Sequence, residues 1–142
     1  MSNPLSLNAI ARESGGLAML AVDQREALRG MLKSSRGVAT VTDADMLEFK
    51  ATAARIPSPY ASAVLVDREF ALDAVVEQGA IADSCALIAS ADQFHPGNGI
   101  PVDRVTIDEL STPEHAAELG AKAMKLLVLW RSDEDPAERQ AM

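Results

Sequence analysis

The stretch from Leu17 to Val22 is wholly apolar and stops abruptly at Asp23-Gln24-Arg25. A short apolar run of this kind reads as a buried strand, although periodicity alone does not separate it from a buried helix segment. Glu26 to Lys33 follows with helical spacing, since Leu28, Met31 and Leu32 stand three and four apart. A buried strand that delivers a carboxylate, an amide and a guanidinium at its carboxyl end, then enters a helix, is the unit on which α/β enzymes place their chemistry.

The rest of the chain repeats that unit. Ala61 to Asp67 and Ala86 to Asp92 are apolar runs that end in aspartate, and Ala123 to Trp130 ends in Arg131-Ser132-Asp133. Helices are predicted between them. One runs from Asp43 to Arg55, with Met46, Phe49 and Ala53 on one face, until Pro57 and Pro59 break it. Another runs from Glu69 to Gln78 and closes at Gly79. A third opens with Thr112 at the cap and Pro113 at the first helical position, and closes at Gly120. Pro136 starts a last one. A short amphipathic segment around Leu5 and Ile10, closed by Gly15-Gly16, precedes the opening strand. Asp23 lies three residues before Glu26, the spacing of a capping box. Gln93 to Ser111 is the least regular part, and the breakers of His95-Pro96-Gly97-Asn98-Gly99-Ile100-Pro101 read as loop.

The predicted order is β-α-α-β-α-β-α-β-α, which implies a parallel sheet with right-handed crossovers. All four polar tips then fall at one end of the sheet. That pattern fits about the first four β/α units of a (β/α)₈ TIM barrel, whose site lies at that end. A small doubly wound domain is the alternative. Against it, Asp-Gln-Arg-Glu-Ala stands where a glycine-rich phosphate loop would begin.

With 142 residues, 48% of them hydrophobic, the chain can bury one modest core and is not a disordered polymer. Its net charge of −8 argues against a nucleic-acid partner, which requires a basic surface. A small anionic substrate needs only a few local cations. The single cysteine, Cys85, sits among apolar residues and is expected to be a small buried thiol. No apolar run approaches the ~20 residues of a membrane span, so no membrane partner is expected. The N-terminus has no signal-peptide pattern, and a cytoplasmic protein is expected. Neither His95, in the loop, nor His115, on a helix surface, stands in a metal-ligand spacing, and no metal or other cofactor is expected.

Asp23 can serve as a helix cap, but Gln24 and Arg25 extend it into a polar cluster. Asp67 and Asp92 are candidates of the same kind. Lys125 is unusual because it interrupts an apolar strand, where an unpaired charge is costly. Pointing into a barrel, it could bind phosphate or form a Schiff base, with Asp23 or Asp67 as its partner. At an edge it would merely reach for water. Arg131 and its acidic neighbours are most simply a helix entry.

Several stretches together resemble a known family. Gly15-Gly16-Leu17-Ala18-Met19-Leu20-Ala21-Val22-Asp23-Gln24-Arg25-Glu26-Ala27, Ser58 to Asp67 and Gly120 to Val128 are similar to the first, second and fourth strands of the class I tagatose-bisphosphate aldolase family. Within it, Val76-Glu77-Gln78, Pro96 to Asp103 and Leu126 to Asp135 look like the branch that cleaves sulfofructose phosphate. The resemblance implies a TIM barrel of ~250 residues, of which this chain is expected to supply the N-terminal half. It implies a Schiff-base aldolase acting on a sugar phosphate or sulfonate and forming a homo-oligomer. The Schiff-base lysine is expected beyond Met142, so the 142-residue chain is expected to be inactive by itself, or to be a half-barrel that associates with another chain. Lys125 matches the family's supporting active-site lysine, and Asp23 and Gln24 match positions at the mouth of the first strand. Lys125 and Asp23 are the expected catalytic residues; Gln24, Asp67 and Arg131 are expected to contact substrate.

Overall fold

The structure is a computed structural model and describes residues 7–130 and 132. Four strands form a parallel sheet in sequential order: β1 (Met19–Ala21), β2 (Ala63–Val66), β3 (Ala86–Ser90) and, after an inserted hairpin of β4 (Asp92–Gly97) and β5 (Ile100–Ile107), β6 (Ala123–Lys125). The helices are α1 (Glu26–Arg36), α2 (Asp43–Arg55), α3 (Leu72–Glu77) and α4 (Pro113–Glu118). A 3₁₀ turn at Leu7–Ile10 precedes β1. Sequential order places the first strand at an edge, as in a sheet that winds one way, whereas a doubly wound sheet reverses from a central first strand.

Register fixes which side chains share a face. Met19 aligns with Ala63 and Ala86, and Ala21 with Leu65, Ile88 and Ala123. Val64, Val66, Leu87, Ala89 and Met124 take the opposite face, where Ala51, Ala54, Leu72, Val75 and Ala116 of the helices cover them. On the face away from these helices, Ile10 packs on Ala63 and Ile88, while Met19 is 54% exposed.

Local chemistry explains the helix starts. Thr42 and Asp45 form a reciprocal capping box on α2: the Thr42 hydroxyl accepts from the Asp45 N–H at 3.2 Å, and the Asp45 carboxylate accepts from the Thr42 N–H at 2.8 Å. The Thr42 hydroxyl also donates to the Asp45 carboxylate at 2.6 Å, and this bond, with that from the Thr42 N–H, holds the Asp45 carboxyl below its ordinary pKa. Thr112 caps α4 through the His115 N–H at 3.1 Å.

Four expectations fail. Asp23 is not a cap, because α1 begins two residues later than that cap requires, with Arg25 at its N-cap and no side-chain cap bond. The buried face of α2 runs through Met46, Lys50 and Ala54, with Phe49 at its margin. The fourth parallel strand stops at Lys125 rather than Trp130, because the Leu127 N–H turns to the Asp92 carboxylate at 2.9 Å. Finally, the segment read as a breaker-rich loop is a hairpin, in which His95 belongs to β4. Asn98 (φ 48°) and Gly99 (φ 76°) form its two-residue turn, and positive φ at both positions matches the right-handed twist of the strands. The final helix expected after Pro136 lies outside the described residues.

Candidate active site

Chemistry-bearing residues collect at the carboxyl end of the parallel sheet, at two depths. In the deeper layer Lys50, fully buried on α2, is paired with the fully buried Asp67 at the end of β2. The same ammonium donates to the carbonyls of Val22 and Gln24, each at 2.6 Å. Three acceptors for one nitrogen require three N–H bonds, so the arrangement suits the charged ammonium. Burial lowers the Lys50 pKa below its ordinary value, and the attraction of Asp67 opposes that shift without cancelling it. The second Asp67 oxygen accepts from the Phe70 N–H at 2.9 Å.

In the upper layer Lys125 sits between Asp23 at 2.9 Å and Asp92 at 3.0 Å. Partial burial works against its charge, but the hydrogen bonds it donates to the two carboxylates outweigh that, and the pKa rises above the ordinary lysine value. Arg25 is buried beside them. One of its terminal nitrogens donates to the Ser90 hydroxyl at 2.8 Å and to the Asp92 carbonyl and carboxylate at 2.7 and 2.9 Å. Its Nε makes no hydrogen bond and lies 3.6 Å from the half-exposed Glu69. Burial raises the Glu69 pKa, and the Arg25 charge opposes this. Phe94 of the hairpin covers both cations, with its ring centre 4.1 Å from the Arg25 guanidinium carbon and 5.4 Å from the Lys125 ammonium. The Ser111 hydroxyl donates to the Ser90 carbonyl at 2.7 Å, tying the chain before α4 to the same rim.

The sequence-predicted residues are therefore largely assembled. Asp23, Asp92 and Lys125 meet directly. Asp67 stands below them, with both oxygens engaged by the protein. Gln24 is exposed on a shallow cavity that Arg25, Glu69, Phe94 and Pro101 also line, and its carbonyl holds Lys50. Arg131 lies outside the described residues. Sequence reasoning passed over Lys50, Ser90, Phe94 and Glu69, and noted Arg25 without assigning it to the site. Lys50 left one signal: a lysine four residues after Met46 and four before Ala54, in the middle of an apolar helix stripe. Cys85 is buried as expected, and burial pushes its thiol pKa up. His95 bonds Thr106 at 2.7 Å and His115 pairs with Asp73 at 2.9 Å. No group of three potential metal ligands occurs among the described residues, and no helix there is long and apolar enough to cross a membrane.

A parallel sheet with helices on one face and a lysine held between carboxylates at its strand ends is an architecture of α/β enzymes. The DeoC/LacD family aldolase profile matches residues 17–142, and the chain belongs to that family, whose fold is of the TIM-barrel type. It is 31% identical over 132 residues to a tagatose 1,6-diphosphate aldolase of Listeria monocytogenes, covering 93% of this chain and 37% of that protein. A homologue of the same name from Listeria innocua is 30% identical over 132 residues, again covering 93% and 37%. Tagatose 1,6-diphosphate aldolase 2 of Enterococcus faecalis is 31% identical over 143 residues, covering 92% of this chain and 38% of that protein. The chain thus spans a little over a third of the length of the curated relatives it matches.

Proposed function

We propose that these residues form the first four β/α units of a class I aldolase barrel that cleaves a ketohexose 1-phosphate carrying a second anionic group at carbon 6. The observation that carries this reading is Lys125, held between Asp23 and Asp92 with its pKa raised. An ammonium so placed is a poor nucleophile, because attack on a ketone needs the free amine, but it is a well-positioned electrostatic group. Lys125 then stabilises negative charge developing on the substrate. Its proximity favours the neutral form of a second lysine on a later strand, the one that forms the Schiff base. The iminium draws electrons from the C3–C4 bond, which breaks without a metal. Asp23 orients Lys125 and the substrate hydroxyls, Gln24 hydrogen-bonds the anionic end, and Arg131 is a further substrate contact. Asp67 acts through Lys50.

The sequence resemblance supports 6-deoxy-6-sulfofructose 1-phosphate as substrate, giving dihydroxyacetone phosphate and 3-sulfolactaldehyde. The names of the curated relatives support tagatose 1,6-bisphosphate at least as well. Cleavage assays with both sugars, on a complete barrel carrying these residues, separate the two; turnover of neither sinks the reading. Borohydride reduction in the presence of dihydroxyacetone phosphate should leave Lys125 unmodified. An adduct on Lys125 would reverse the assignment of the two lysines.

A further inference from the structure

Strand β1 ends at Ala21, the Val22 N–H makes the last bond to β2, to the Leu65 carbonyl at 2.9 Å, and residues 22–25 belong to neither strand nor helix. Asp23 is nevertheless held against Lys125. The two carbonyls that bracket it, those of Val22 and Gln24, both accept from the same buried nitrogen, Lys50 Nζ. The third bond of that nitrogen goes to Asp67, anchored in turn by the Phe70 N–H. On the far side, Arg25 is fixed to Ser90 and Asp92. Asp23 thus sits on a short bend pinned from below by a side chain of α2.

We propose that Lys50 is a positioning residue: its ammonium clamps the backbone on both sides of Asp23 and so holds that carboxylate against Lys125. Lys50 is fully buried and all three of its N–H bonds are spent on the protein, so it acts through Asp23 and not on substrate. The significance of the clamp for catalysis rests on the aldolase reading; the clamp itself does not.

Lys50→Met alone strands the Asp67 charge, so the test pairs it with Asp67→Asn, which is neutral and keeps an acceptor for the Phe70 N–H. The readout is competitive acylation of the chain, followed residue by residue, with exposed Lys33 as internal reference. With the clamp lost, Asp23 is released, the Lys125 pKa falls, and its labelling at neutral pH rises about tenfold for each unit of that fall. An unchanged Lys125 rate overturns the proposal. So does a rise accompanied by reaction of the buried Cys85, which marks general opening of the fold. No substrate is involved, so a failure of the aldolase reading appears separately, as absence of cleavage by the complete unsubstituted barrel. Where that barrel does cleave, the double variant should lower kcat far more than it raises KM.

Discussion

The two faces of the parallel sheet are built from different materials. The helix-covered face uses Val64, Val66, Leu87 and Ala89, all buried under α2, α3 and α4. The other face uses Ala21, Ala63, Ala86 and Ala123 around Leu65 and Ile88, and it ends in charge. Branched side chains fill the curved space between sheet and helix, while small ones leave room on the side where a barrel sheet closes on itself. The first face is therefore self-sufficient in packing. The second leaves Met19 more than half exposed and carries its polar residues at the rim.

Lys50 joins the two, since it rises from a helix on the first face to the rim of the second. Lys50→Met should be the most damaging single change, costing about 3–5 kcal/mol in urea unfolding because Asp67 is left buried and unpaired. A cost below about 1 kcal/mol would mean that Asp67 finds water or another partner. Leu72→Ala, on the helix-covered side, should cost about 2–5 kcal/mol. Met19→Ala in the 142-residue chain should stay within about 0.5 kcal/mol. A Met19 cost approaching that of Leu72 would show that the second face is covered in solution, and the contrast between faces would collapse.

The rim makes a pH prediction. The folded pKa of Lys125 lies above the ordinary 10.5. Its pairing therefore contributes stability that is fully present below that ordinary value and is lost as pH rises through the higher folded one. Lys125→Met should flatten this part of the alkaline fall in the urea midpoint; an unchanged alkaline slope would mean the carboxylates do not hold the ammonium in solution. The smallest effect concerns Cys85, whose buried, high-pKa thiol should react with an aromatic disulfide reagent far more slowly than in urea-unfolded protein. Equal rates would show the strand-entry end of the sheet to be open.

What the sequence disclosed followed from period and punctuation. Each parallel strand was legible as an apolar run, α2 was bounded correctly at Asp43 and Arg55, and Thr112-Pro113 marked α4. The meeting of Asp23 and Lys125 followed from strand ends lying on one side, but the second carboxylate on Lys125 is Asp92 and not Asp67, which Lys50 takes. The hairpin was misread because prolines and glycines were weighed as breakers, whereas Asn98-Gly99 is itself a strand-reversal signal and Pro96 and Pro101 flank it. Asp23 fitted a capping box by spacing alone; a long-range partner, Lys125, took its carboxylate instead. Lys50 was obscure because no local rule says that a lysine in an apolar stripe finds an aspartate seventeen residues away.

The rim also has an arithmetic. Asp23, Asp67 and Asp92 balance Arg25, Lys50 and Lys125, and the half-exposed Glu69 beside Arg25 adds a further acidic group, so the assembled residues present no positive excess to the solvent. The 142 residues as a whole carry −8. By themselves these 142 residues repel a multiply charged anion at long range, and added salt, which screens a far field beyond ~10 Å and leaves buried pairs nearly untouched, weakens that repulsion.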